Sequence, residues 1–62
     1  MGTEDQTKRE VKESAELSLR LTLGSLRQLG ELIARGPGGR EVALAITKVQ
    51  EAQHWLNEVT EV

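Results

Sequence analysis

The chain has 62 residues, with eight Lys and Arg against ten Asp and Glu, one His and no Cys, for a formal net charge of −2. A chain this short is at most one small domain, and with no disulfide to hold it together its stability has to come from packing. A near-neutral chain whose only aromatic is Trp55 lacks the basic, aromatic-lined groove that polymeric DNA or RNA requires, so no such partner is expected.

Residues 1–6 belong to the segment MGTEDQTKRE, which is too charged for a secretion signal, and they are expected to be a disordered N-terminus ahead of a helical domain over 7–62. No apolar run approaches the roughly 20 residues of a membrane span. No membrane partner is therefore expected, and the expected location is the cytoplasm.

The next segment, ELSLRLTLG, alternates Leu with polar residues and taken alone resembles a strand. Its neighbours argue for a helix. Arg9, Glu13, Glu16, Arg20, Arg27 and Glu31 recur at intervals of 4, 3, 4, 7 and 4, which draws one polar stripe along a helix over about 7–34. The pairs Glu16/Arg20 and Arg27/Glu31 fall one turn apart and can bridge. The leucines divide between two flanks, Leu17, Leu21 and Leu32 on one and Leu19, Leu23, Leu26 and Ile33 on the other, so this helix is expected to have neighbours on more than one side. Gly24 and Gly30 lie inside it, each costing about 1 kcal/mol relative to Ala, which points to a close helix neighbour or a kink at Gly24.

Arg35 to Gly39, RGPGG, forms a strong stop and a short loop. A second helix over about 40–60 follows, with Val42, Ile46, Val49, Ala52, Leu56 and Val59 as its seam and Leu44 and Trp55 widening the apolar face. Arg40, Thr47, Glu51, His54 and Glu58 run down the opposite side. The run Val42–Ile46 has no polar side chain and reads as a turn buried in an assembly. A short loop between two helices forces them side by side, so the fold class expected is all-α, an antiparallel two-helix hairpin. One such chain cannot cover its own apolar surface, and obligate association into a compact helical homo-oligomer is the natural remedy.

Several chemistries are excluded at the loop. A phosphate-binding P-loop needs Lys and then Ser or Thr after its last Gly, where this chain has Arg40 and Glu41. A dinucleotide-binding loop needs a preceding strand, and residue 35 ends a helix. His54, the only histidine, has no evident Ser partner and orienting acid, and no His, Asp and Glu fall at metal-ligand spacing around it. No catalytic residue, metal or cofactor is expected, and the chain does not read as an enzyme. What remains is a helix N-terminus with unpaired N–H groups and a positive dipole end, flanked by Arg35 and Arg40, with Thr47 on the face of Arg40 and Lys48 near the apolar edge. On the residues alone, a Gly-rich connector with solvated arginines and a snorkelling lysine is the simpler reading and an anion site the alternative. Trp55 by itself reads as core, and His54 and Glu51 as solvent-facing.

Residues 39–55, GREVALAITKVQEAQHW, resemble the hairpin signature of phage anti-defence sponges, Gly-Arg-Glu-x-x-Leu-Ala-x-Thr-Lys-Leu-x-Glu-Ala-x-x-Trp. This hairpin is shared by the second anti-CBASS family and the first Thoeris anti-defence family. The matching positions are Gly39, Arg40, Glu41, Leu44, Ala45, Thr47, Lys48, Glu51, Ala52 and Trp55. Val49 stands where the pattern has Leu, and Gln53 and His54 where it often has apolar residues. The resemblance implies a helical oligomer, typically a hexamer, that sequesters cyclic di- or trinucleotides between protomers and releases them unchanged, which silences bacterial immune signalling. It further implies a host-cell cytoplasmic location for a phage-encoded chain. Carried over by residue, it makes Arg40 and Thr47 the foremost phosphate contacts, followed by Lys48 and Arg35. The additional N-terminal domain with which the Thoeris sponges take cyclic ADP-ribose derivatives has no counterpart here, so that ligand class is not expected. The alternative function is a small helical protein-interaction or structural oligomerisation module.

Overall fold

The computed structural model describes residues 2–60; Met1, Glu61 and Val62, which fall within the expected segments 1–6 and 7–62, lie outside the described residues. Two helices make up the chain, α1 (Gly2–Leu32) and α2 (Gly39–Asn57). Helical backbone thus reaches ahead of the start expected at residue 7. α1 stops two residues short of 34, and α2 begins one residue before 40 and ends three residues short of 60.

The connection is short because its residues can turn the chain with few bonds. Ile33 N–H still donates to Leu29 C=O at 3.1 Å, and Gly36 N–H then closes a tight turn onto Ile33 C=O at 2.9 Å. Pro37 has no N–H to continue a helix. Gly38 adopts φ 97°, a left-handed conformation that side-chain-bearing residues resist, and from there caps α2 by accepting Val42 N–H at 3.0 Å. At the far end α2 unwinds through tighter bonds from Glu58 N–H to Trp55 C=O and from Val59 N–H to Leu56 C=O.

α1 turns Lys12, Glu16, Leu19, Leu23, Leu26, Gly30 and Ile33 toward α2, at alternating spacings of four and three; α2 answers with Val42, Ile46, Val49, Gln53 and Leu56 on the same rhythm. That is the spacing of a two-stranded helical seam. A Cβ added at Gly30 would lie 3.5 Å from Val42 Cγ1, which places these two residues level with each other. Counting outward from this pair sets Leu26 against Ile46 and Leu23 against Val49, then Leu19 against Gln53 and Glu16 against Leu56. The seam is therefore apolar near the loop and partly polar toward the open end. Of the two leucine flanks, Leu19, Leu23, Leu26 and Ile33 form the inward one, and Leu17, Leu21 and Leu32 are exposed.

Three expectations are corrected. Ala52 and Val59 are exposed, and Gln53 occupies the seam position, because the inward residues of α2 follow the four-three rhythm from Val42. The carboxylate of Glu16 is taken by Lys12 Nζ at 3.1 Å, in a part-buried pair along the seam, and not by Arg20. Among the described residues Arg27 and Glu31 form no ion pair. The close helix neighbour is met at Gly30 and not at Gly24, where no atom lies within 4 Å of an added Cβ.

A two-helix hairpin leaves little inside. Leu23, at 9% exposure, is the one buried residue among those described, while Leu21 (64%), Leu32 (77%) and Trp55 (67%) lie largely open. The chain exposes 5146 Å². A compact monomer of its 6.8 kDa mass would expose about 3,950 Å², so the excess is roughly 1,200 Å². That exceeds the roughly 800 Å² that one partner contributes to a standard interface.

Candidate functional site

Arg35 lies in the turn after α1, Arg40 in the first turn of α2, and Thr47 and Lys48 two turns further on; all four are exposed. At 100° per residue, Arg40 and Thr47 differ by roughly 20° in direction, with Glu51 and Glu58 in the same band. This band faces away from the Val42–Leu56 seam, so α1 contributes nothing to it. Along the axis, however, Arg40 and Thr47 are about 10.5 Å apart. The hairpin brings them onto one face without bringing them to one point.

Each side chain has a distinct local situation. Among the described residues Arg35 and Arg40 have no ion-pair partner. Lys48 Nζ stands 3.6 Å from Glu51 Oε1, with the two side chains 75% and 53% exposed, a geometry that holds the ammonium only weakly in water. The Thr47 hydroxyl donates to the carbonyl of Ala43 one turn back, at 3.1 Å. Gly38, which caps α2, offers no side-chain acceptor, so the first N–H groups of the helix depend on outside partners, with Glu41 the only carboxylate in the first turn. Backbone donors, a positive dipole end and two unpaired guanidinium groups thus gather at the loop end of the hairpin.

Trp55 corrects the sequence reading. It is exposed and not core, with the ring of His54 meeting it edge-on at a centroid distance of 5.3 Å and 70° between planes. His54 and Glu51 are exposed, as expected. Leu44 (51% exposed) lies between Arg40 and Lys48 on the same side of the helix as Trp55, so the cationic end runs into an apolar patch.

Two clefts of the hairpin lie at its open end. One, of about 360 Å³, is lined by Glu16, Leu19, Arg20, Gln53, Leu56 and Asn57; the other, of about 330 Å³, is bordered by Arg9, Lys12, Glu13, Asn57 and Thr60 among others. Neither is lined by Arg35, Arg40, Thr47 or Lys48. Sequence reasoning missed this polar end because it placed Ala52 in the seam. Among the described residues no group of three or more His, Asp and Glu is placed to hold a metal ion, and no helix is long and apolar enough to cross a membrane.

The first turn of α2, Arg40 and Thr47 form an open, outward face of the hairpin. The family model described as the Acb2/Tad1 hairpin domain matches residues 24–60, which comprise the last turns of α1, the loop and all of α2. No curated protein and no solved structure matches the chain.

Proposed function

From the chain's membership of the Acb2/Tad1 hairpin family, whose members are anti-defence nucleotide sponges, we propose that it sequesters cyclic di- or trinucleotide messengers without cleaving them. The observation that carries this reading is the coincidence of the family match with the outward cationic end of α2. Arg40 is the main phosphate contact, Arg35 and Lys48 add positive potential, and Thr47 lines the same face. A charge-assisted hydrogen bond from guanidinium to phosphate is among the stronger polar contacts available to a protein.

Assembly completes the site. The roughly 1,200 Å² of excess surface is enough for one standard contact per protomer with area left over, and two uncovered apolar regions, Leu17/Leu21/Leu32 on α1 and Leu44/Trp55 on α2, are available for association. A closed assembly with two kinds of interface, such as a hexamer, repeats Arg40 around a symmetry axis. Cyclic dinucleotides and trinucleotides carry two and three phosphates with matching symmetry. One small chain then suffices to meet every phosphate.

Sequestration without turnover follows from what the face offers. Phosphodiester cleavage needs a group that activates water and one that stabilises the leaving oxygen; the guanidinium, the back-bonded hydroxyl and the ammonium supply binding, and Glu51, a carboxylate in the same band, stands beside Lys48 at 3.6 Å. Isothermal calorimetry with a panel of cyclic di- and trinucleotides tests the proposal. Binding of at least one supports it. Binding of none favours the rival reading, a helical interaction or oligomerisation module acting through the same exposed leucines.

A further inference from the structure

Two observations about Thr47 do not suit a simple phosphate contact. Its hydroxyl has one proton, and in the free hairpin that proton is donated to the Ala43 carbonyl at 3.1 Å. A hydroxyl bonded this way shows only lone pairs to the outside, and a phosphate oxygen has no proton to give them. The second observation is distance. Thr47 lies about 10.5 Å along α2 from Arg40, on nearly the same bearing, so both residues of one protomer reach different groups of a ligand laid against this face. Something beside the phosphate, carrying a hydrogen-bond donor, is what Thr47 is prepared to meet.

We propose that Thr47 is a specificity-determining residue that accepts a hydrogen bond from a ribose hydroxyl and thereby selects cyclic ribonucleotides over their deoxy counterparts. The inference rests on the cyclic-nucleotide reading above and refines it, since it assigns Thr47 to the sugar and leaves phosphate recognition to Arg40. In a cyclic oligonucleotide the sugar hydroxyl next to each phosphodiester is the donor nearest the anion. Acceptance needs no rearrangement of the Thr47–Ala43 bond, whereas donation to phosphate would first break it. A site built to pair with a ligand hydroxyl rejects the analogue that lacks it more strongly than a contact of shape alone would.

The test is a four-way comparison by calorimetry: the parent chain and Thr47→Val, each against a cyclic diribonucleotide and its 2′-deoxy analogue. Valine keeps the branched shape and removes the acceptor. The parent should prefer the ribo form by about tenfold or more. Thr47→Val should bring ribo binding down to the deoxy level and leave deoxy binding unchanged. Thr47→Ser, which keeps the hydroxyl, should retain the preference and guards against a folding defect in the valine variant. Equal weakening of both ligands in Thr47→Val, or a parent that does not distinguish them, overturns the assignment while leaving the sponge reading in place. No binding of either ligand or of any other cyclic nucleotide overturns both.

Discussion

Gly30 and Val42 face each other across the hairpin at van der Waals range, a Cβ on Gly30 falling 3.5 Å from Val42 Cγ1. The glycine therefore leaves room for one methyl group and no more. Gly30→Ala should remove the helix-propensity penalty and add a contact, raising stability by about 1 kcal/mol. Thermal melts followed by circular dichroism at fixed protein concentration check this. Gly30→Leu, whose bulk the seam cannot take, should lower the melting temperature.

Gln53 interrupts an otherwise apolar row between Val49 and Leu56, level with Leu19. Gln53→Leu should extend the apolar seam toward the open end and stabilise the hairpin by about 1 kcal/mol, with the Lys12–Glu16 pair left as the last polar layer. A fall in stability would mean that the amide of Gln53 is needed by a group that the isolated hairpin does not show.

Leu21 is exposed on α1 beside Leu17, with Leu32 further along the same flank. In an isolated hairpin, Leu21→Glu should change stability by no more than about 0.5 kcal/mol, because the side chain already meets water. In the proposed assembly it buries a charge, so sedimentation velocity should show a smaller species. The proposed assembly couples folding to association, because one chain holds so little core, so helicity should fall with it on dilution. Unchanged sedimentation would remove this flank from the interface.

The sequence carried the two helices, their antiparallel packing and the division of the α1 leucines into two flanks, because helical periodicity and a Gly-Pro-Gly-Gly stop are local properties of the chain. It carried the face shared by Arg40 and Thr47 for the same reason. It missed the place of Gln53, since Ala52 and Val59 fit a helical apolar stripe nearly as well and only the partner helix decides between the two registers. Trp55 was read as core because a lone tryptophan usually is, and here the hairpin has no third layer to cover it. The salt bridges went astray because Glu16 can reach Lys12 as easily as Arg20, and the choice depends on which of them follows the seam.

Arg40→Ala should leave the assembly intact and weaken cyclic-nucleotide binding by about 3 kcal/mol or more, since the lost charge-assisted bond is repeated at every phosphate. Lys48→Ala should cost less, because that ammonium already has Glu51 beside it. Calorimetry on both variants, with sedimentation as the control for assembly, gives the comparison. An Arg40→Ala protein that binds as tightly as the parent places the site elsewhere.

The measurement that bears most directly on sequestration is the fate of a bound ligand. A cyclic nucleotide is incubated with excess protein, the free pool is separated by filtration, and the retained fraction is released by heat and quantified by chromatography. The account predicts depletion of the free pool followed by full recovery of the intact cyclic molecule. Linear nucleotides in the released fraction would contradict it and make Glu51 and His54, exposed near Thr47 on the same helix, the first side chains to examine for catalysis.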